Sequence, residues 1–488
     1  MIKRLFTVLL LLVVTSSALS ITEVSATTSV SPKVAPGLNS SYALKSDGTV
    51  WAWGRGTDGR LGIGNTTSQS LPVQIPSLSN VIDIAAGESH AVALKADGTV
   101  WAWGNNPVGQ VGDGTTSDRH TPVQISLSSV IAIESFGDSN LALKSDGTVW
   151  GWGSNAYRQL GIGNISSSQK TPVQVHTVNN VVDIAIGLKN GAALSNAGVL
   201  WTWGDNNDGQ IGDGTTTDRP SPVAISGITS VHSIASGSNN IMALKTDGTL
   251  WNWGNEYANG ITNIVQYRVP TQIPSIQNVA SFSTHSGRVT AIKTDGTMWS
   301  FGYNSAGTNG VGDSTVLSIY RLPHQVVISD LTTPLVDMIF IKSGDSHSMA
   351  VKADGTVWTW GTNTYGKLGD GTTTNRNYAV QVSGLNLLGD MITLNQSVNV
   401  SVGVGESKGF AFVAPFTGTV TFSTSFWQTN CDPMLTLYDS LGNQLAFNDD
   451  DPGSLYETLP YSVVAGQTYY IEVSGYNSSA ADCVLSVV

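Results

Sequence analysis

Between residues 81 and 125 the apolar positions gather into four short runs, VIDIAA, HAVALK, TVWAW and PVQI, separated by stretches rich in glycine and polar residues. Runs of this length between turn residues predict four β-strands, Val81 to Ala86, His90 to Lys95, Thr99 to Trp103 and Pro122 to Ile125. Side chains alternate along a strand, so Trp101 and Trp103 share one face and Ala102 takes the other. Asp97-Gly98 joins the second and third runs. The pair predicts a two-residue hairpin with a type I′ turn, which needs positive φ at both central residues.

The pattern recurs. Tryptophans equivalent to Trp101 stand at Trp51, Trp150, Trp201, Trp251, Trp299 and Trp358, giving seven units with steps of 50, 49, 51, 50, 48 and 59 residues. That period is the mark of propeller blades and similar arrays. The second aromatic is Trp53, Trp103, Trp152, Trp203, Trp253 and Trp360, with Phe301 in the sixth unit, and the residue between each pair is small or polar. Large against small on opposite faces suits sheets packed as wedges. The fourth unit has Ala197-Gly198 in place of Asp-Gly, which predicts a weaker turn. The fifth reads NEYANGITNIVQYRVP from Asn255 where others keep GQxG, and the step from sixth to seventh carries about nine extra residues. Both predict irregular loops. The first unit has only a stunted first strand around Val34 to Gly37, leaving ring closure open.

Beyond residue 390 the pattern changes to the alternation of a sandwich: Val398, Val400, Val402 and Val404, then Phe410 and Phe412, then Val420 and Phe422. The fold class is therefore all-β, seven repeat units of the kind found in propeller blades and similar arrays over residues 27–389, followed by a C-terminal β-sandwich over 390–488. At the other end, Lys3 and Arg4 precede the apolar run Leu5 to Val14, too short to span a bilayer, and Val24-Ser25-Ala26 offers a cleavage site. Residues 1–26 read as a signal peptide of a secreted bacterial protein with no membrane span.

Composition sharpens this. The 488 residues carry a net charge of −12, which excludes a general nucleic-acid binder. The charge is unevenly shared, because residues 390–488 hold ten acids against Lys408 alone. Thirteen of the fourteen tryptophans lie in the repeat motifs, so they are scaffold rather than a carbohydrate-stacking surface.

The string from Val81 to Gly114, VIDIAAGESHAVALKADGTVWAWGNNPVGQVGDG, resembles the repeat of the regulator of chromosome condensation family. The resemblance covers about residues 30 to 385 and implies a seven-bladed propeller. The C-terminal segment, through GESKGFAFVAP, DPMLTLYDSLGNQLAFNDDD and AGQTYYIEVSGY, resembles the bacterial pre-peptidase C-terminal domain, which implies a sandwich appended to a secreted protein. The repeat family includes a secreted bacterial inhibitor of β-lactamase, which implies an enzyme-inhibitor role as the sharper expectation. It also includes the nuclear exchange factor for a small GTPase, an activity a secreted acidic chain does not suit.

Candidate chemistry is sparse. Gly54 to Gly59 matches GxGxxG and Gly361 to Lys367 matches GxxxxGK, but the first has no helix to receive a pyrophosphate and the second continues with Leu368 where Ser or Thr is needed. Their glycines read as loop glycines of the repeat. No zinc cluster is visible. Cys431 and Cys483, both in the C-terminal domain, are expected to form a disulfide in an oxidising compartment, closing a loop worth about 4 kcal/mol in the chain-entropy model. Asn448, Asp449, Asp450 and Asp451, with Asp432 or Glu457, offer oxygen ligands for Ca²⁺, although a solvated acidic turn before Pro452-Gly453 is the favoured reading and no cofactor is expected. Gly344-Asp345-Ser346-His347 repeats Gly87-Glu88-Ser89-His90 at the same step of the repeat, which marks architecture rather than catalysis.

A binding face follows from connectivity. The first-to-second and third-to-fourth loops of an antiparallel four-stranded unit emerge together, opposite the Asp-Gly hairpins. On that face the residues that break the repeat are Asp58, Tyr157, Asp208 and Tyr365 on the long loops and Glu88, Asp138 and Asp345 on the short ones. These seven are the candidate partner-binding residues, in a monomeric non-catalytic protein that binds an extracellular protein or cell-surface component. The alternatives are a secreted hydrolase using Glu88, Asp138 and Asp345 at the propeller mouth, and a cell-wall or polysaccharide binder.

Overall fold

The computed structural model describes residues 30–163, 166–254, 267–313, 318–388, 390–392, 394–402, 407–426, 433–438, 444–448, 458–465, 467–475 and 481–488. The signal peptide expected over residues 1–26, Cys431 of the expected disulfide, and the Ca²⁺ candidates Asp449, Asp450 and Asp451 lie outside these residues, as does the altered loop of the fifth unit.

The repeat region folds into seven antiparallel sheets, each of four consecutive strands. Sheet 1 runs from Lys33 to Gln74, sheet 2 from Val81 to Gln124, sheet 3 from Val130 to Gln174 and sheet 4 from Val181 to Ile225. Sheet 5 runs from Val231 to Gln272, sheet 6 from Val279 to Gln325 and sheet 7 from Met338 to Asn386. The first strand of every sheet lines a common axis. In sheet 2 the last strand is Arg119–Gln124, beginning before the predicted Pro122, because a bulge lets Gly104 pair with Arg119 after Ala102 has paired with Val123.

The Asp-Gly hairpins are present but are not type I′ turns. Only the glycine is left-handed, Gly98 at φ 77°, while Asp97 is not. Gly98 N donates to Lys95 O at 2.9 Å and Lys95 N to Thr99 O at 3.0 Å, giving the three-residue loop in which a type I turn precedes a left-handed glycine. Asp97 dictates this choice, since its Oδ1 accepts from Thr99 N at 2.9 Å and Thr99 Oγ1 at 2.6 Å. Thr99 Oγ1 then accepts from Trp101 Nε1 at 3.2 Å, and Lys95 Nζ sits 4.9 Å from the Trp101 ring centroid. The repeated KxDGTxW string is thus one interlocked unit. Sheet 4 lacks the aspartate and threonine, and there Val199 N donates to Ser195 Oγ at 3.1 Å.

Both tryptophans of a sheet face the sheet before it, and the small residue between them faces the sheet after. Trp103 packs among Tyr42, Leu44 and Val50 of sheet 1, whereas Ala102 packs with Ile133 and Ala142 of sheet 3. The second tryptophan of each pair is fully buried. Four of them donate their indole N–H to a carbonyl of the preceding sheet: Trp53 to Lys367 at 2.9 Å, Trp103 to Arg60 at 3.0 Å, Trp152 to Gln110 at 3.1 Å and Trp203 to Gln159 at 2.7 Å. Two residues beyond that carbonyl stands a glycine with positive φ. A Cβ on Gly62 would lie 2.8 Å from Trp103 Nε1, so this step of the repeat admits no side chain. The GQxG string is the socket for the next sheet's tryptophan.

The ring closes. Trp53 packs against Met349, Val351 and Val357 of sheet 7, and Gly371 N donates to Ser70 O at 3.2 Å, so the four-residue strand Lys33–Pro36 suffices for the first unit. After sheet 7, Leu388 packs with Ala411 and Tyr470. The C-terminal residues form a five-stranded and a four-stranded sheet around one core that includes Phe410, Phe412, Phe422, Ile471 and Cys483.

Candidate functional site

The short and long loops do share a face. Outside sheet 5 the first amide of the long loop donates to the short loop of its own sheet, for example Arg55 N to Asn39 O at 2.8 Å, Asn105 N to Ser89 O at 3.0 Å and Asp205 N to Lys189 O at 2.9 Å. The hairpins lie at the other end, where Gly48 O accepts from Val81 N and Gly98 O from Val130 N, both at 3.1 Å.

Long loops of sheets 2, 4 and 7 are held by the same clasp. In sheet 2, Asp113 Oδ1 accepts from Thr115 N and Oγ1 at 2.9 and 2.7 Å, its Oδ2 accepts from Arg119 Nε at 2.6 Å, and Asn106 Oδ1 accepts from Val111 N at 2.9 Å. Asp213 with Arg219 and Asp370 with Arg376 repeat it. Burial raises the Asp113 carboxyl, but the Thr115 hydrogen bonds and Arg119 outweigh it and hold the group below the usual range. In sheet 1, Asp58 is left-handed at φ 61° and pairs with Arg60 at 2.6 Å. These loops are rigid supports.

Two of the predicted anchors stand out from them. Tyr157 and Tyr365 are each 42% exposed and occupy the same step of the repeat in sheets 3 and 7. Each is braced by a cation from the next sheet: Lys189 Nζ lies 5.2 Å from the Tyr157 ring centroid and the Arg55 guanidinium 5.1 Å from that of Tyr365. Tyr365 is itself left-handed at φ 65°, a conformation that costs energy for a bulky residue and is held by the surrounding loop. Asp208 is half-exposed, and its N donates to Gln210 Oε1 at 2.9 Å.

The short loops bring Glu88, Asp138 and Asp345 close enough for their charges to act on one another. Burial, then Asp138 and Asp345, push the Glu88 carboxyl above its usual value. Glu88 and Asp345 line the axial cavity, while Asp138 accepts from Gln110 Nε2 at 3.1 Å.

Residues beside Asp345 were not visible as a site in the sequence. Ser286 Oγ donates to Asp345 Oδ1 at 2.8 Å and lies 2.8 Å from His285 Nδ1. The order is wrong for nucleophilic catalysis: the serine proton goes to the carboxylate, and burial drives His285 down to about 3, removing it as a base near neutrality. Beneath lie two buried cations. Lys367 Nζ donates to Leu38 O, Asn39 Oδ1 and Ser346 Oγ at 3.1, 3.3 and 2.6 Å, and burial lowers it to about 8. Arg288 Nη2 donates to Gly344 O at 2.6 Å, and burial lowers it to about 10. The lysine of the GxxxxGK string therefore ties loops of sheets 7 and 1 together and is unavailable to a phosphate. The only sequence signal was, for Arg288, a permanent charge where other repeats hold Ser, Asn or His; Lys367 shares its charge with Arg60 at the same step.

Around the axis, Glu134 of sheet 3 pairs with Lys342 of sheet 7 at 2.9 Å, and Phe136 stacks on His285 of sheet 6 with centroids 4.2 Å apart. No group of three or more metal-ligating side chains occurs among the described residues, and no helix there is long and apolar enough to cross a membrane.

Residues 15–263, just over half of the chain, match the family model of the RCC1-like domain, and residues 339–367 and 354–395 match models of the regulator of chromosome condensation (RCC1) repeat. The chain belongs to the RCC1-like domain family. Among solved structures of RCC1-like β-propellers, Prp20p from Saccharomyces cerevisiae, described with its binding to Gsp1p and histones, is 24% identical with a TM-score of 0.60, over 70% of this chain and 87% of that one. Yeast RCC1 (Prp20) in complex with Kap60 gives 22% and 0.59, over 78% and 91%. Human WBSCR16 gives 23% and 0.60, over 69% and 94%. At these identities the likeness is one of fold.

Proposed function

We propose that this RCC1-like chain is a secreted, non-catalytic, seven-bladed β-propeller that binds a protein partner through its long-loop face, with a pre-peptidase-like C-terminal β-sandwich appended. The observation that carries the reading is the pair of exposed tyrosines, Tyr157 and Tyr365, braced by Lys189 and Arg55 on a face of clasped loops. Rigid aromatic anchors lose little entropy on binding and dominate protein interfaces. Asp58, Glu88, Asp138, Asp208 and Asp345 supply a mainly acidic surround. An enzyme inhibitor is the sharper form of the reading. The binding of Gsp1p and histones by the yeast neighbour supports protein recognition by this fold, without carrying its partners to this chain. Secretion rests on the N-terminal pattern, and N-terminal sequencing of the exported protein should begin at Thr27.

The test is affinity capture from the culture medium and cell surface of the source organism, with the wild-type protein and a Tyr157→Ala/Tyr365→Ala variant as baits. One protein enriched by the first and reduced at least about tenfold by the second is expected, since two interface tyrosines together contribute roughly 2 kcal/mol or more. Equal capture by both baits would remove the long-loop face from the interface.

A further inference from the structure

The long-loop face carries cations of two kinds. Arg60, Arg119, Arg158, Arg219 and Arg376 are each paired with an aspartate, and Lys367 gives its protons to loop oxygens. The side chains of Arg55 and Lys189 are half-buried on the same face, yet neither meets a carboxylate or any other hydrogen-bond acceptor among the described residues. Asp58, three positions from Arg55, is taken by Arg60, and Arg55 Nε is buried without a partner. Each of the two cations lies instead against an exposed tyrosine. The Arg55 guanidinium is 5.1 Å from the Tyr365 ring centroid and Lys189 Nζ 5.2 Å from that of Tyr157. A ring face attracts a cation without neutralising it, and a guanidinium shielded from water with no acceptor is costly. The seam of sheets 7 and 1 and the seam of sheets 3 and 4 thus each hold an unpaired cation ready beside an exposed ring.

We propose that each couple, Arg55 with Tyr365 and Lys189 with Tyr157, takes a carboxylate side chain of the protein partner, which therefore presents acidic residues at two separated points. This rests on the reading of the long-loop face as the partner-binding one and names the chemistry that face selects. The planar fork of Arg55 suits a carboxylate gripped by two hydrogen bonds, while Lys189 offers a point charge. Between the two seams lies the axial mouth with Glu88 and Asp345, whose charges repel carboxylates and confine the partner's acids to the two ends. A sulfated or phosphorylated polymer, charged along its whole length, fits that alternation poorly.

Surface plasmon resonance of the immobilised full chain with a blocked triglutamate peptide, at neutral pH and about 50 mM salt, tests this. Saturable binding of two peptides per chain is expected. Arg55→Gln and Lys189→Gln should each halve the capacity, and the double variant should lower the response about tenfold or more. Arg55→Lys should keep the site with weaker binding, which a merely structural role for Arg55 would not produce. Neither side chain holds a hydrogen bond of the fold, so the melting temperatures of all variants should stay within a few degrees of the wild type. No binding of triglutamate, full capacity in the double variant, or tighter binding of a heparin oligosaccharide through the same two residues would overturn the proposal, even where affinity capture has placed the tyrosines in the interface. Triglutamate binding with no captured partner would instead contradict the protein-binding reading and leave the two anion sites standing.

Discussion

Sheets 7, 1, 2, 3 and 4 and sheets 5 and 6 come from one repeat, yet they are joined in two ways. At the four successive seams from sheet 7 round to sheet 4 a buried indole N–H reaches a carbonyl of the sheet before. At the three remaining seams that bond is missing: Trp253 and Trp360 have buried Nε1 atoms with no acceptor, and Phe301 has no donor. Other groups bridge those seams, with the Ser238 and Ser286 hydroxyls 3.4 Å apart between sheets 5 and 6. Ile234 N reaches Asp183, Ser236 donates to Asn190, Ser343 N donates to Ser283 Oγ at 2.9 Å, and Arg288 reaches Gly344 O. Glu134–Lys342 and Phe136–His285 also brace sheets 7 and 6 from across the ring. All seven candidate partner-binding residues lie on the indole-bonded arc. A repeat can therefore keep its aromatic period while varying how tightly each seam is tied, and the candidate partner-binding residues sit where it is tied alike.

The largest expected effect comes from emptying a socket. Trp203→Ala should cost about 3 to 5 kcal/mol in urea unfolding, and Trp253→Ala roughly 1 kcal/mol less, because no hydrogen bond is lost with it. Next, Trp203→Phe should destabilise by about 1 to 2 kcal/mol by stranding the Gln159 carbonyl, which accepts from no other donor among the described residues, while Trp253→Phe should be neutral or slightly stabilising. Equal costs for the two would erase the distinction between the arcs. The clasped loops give a pH test. The Asp113, Asp213 and Asp370 carboxyls are held low, so their contribution is full at neutral pH and fades as the pH falls through their folded values. Asp183 has the opposite sign: its raised folded value of about 6 means stability should rise as pH drops from 7 toward 4, and Asp183→Asn should abolish that part of the profile. The smallest effect is Lys342→Met, about 1 kcal/mol or less for a half-exposed pair, detectable as faster amide exchange in sheets 6 and 7 with little change in sheets 1 and 2.

Period, tryptophan faces and the small residue between them were legible because each follows from strand alternation and a fixed step. The Asp-Gly strings located the hairpins but suggested the wrong turn. The deciding contact is Asp97 with Thr99, a side-chain bond that dipeptide statistics on Asp-Gly leave out. Gln110-Val111-Gly112 and Gln210-Ile211-Gly212 are equivalent strings, yet only the first carbonyl receives an indole, so the seam difference lies in a small packing offset that no local motif encodes. Glu134 and Lys342 are 208 positions apart, and only the closed ring brings them together. Of the seven candidate residues, the structure gathers Glu88, Asp138 and Asp345 around the axis and sets Tyr157 and Tyr365 apart on the rim.

Amide hydrogen exchange of the chain with and without the protein it captures tests the central claim most directly. The account predicts new protection in the long loops of sheets 7, 1, 3 and 4, around Thr57–Gly59, Tyr157, Asp208 and Thr364–Gly366, with the Asp-Gly hairpins unchanged. Protection at the hairpins or confined to sheets 5 and 6, or no captured protein at all, would contradict it.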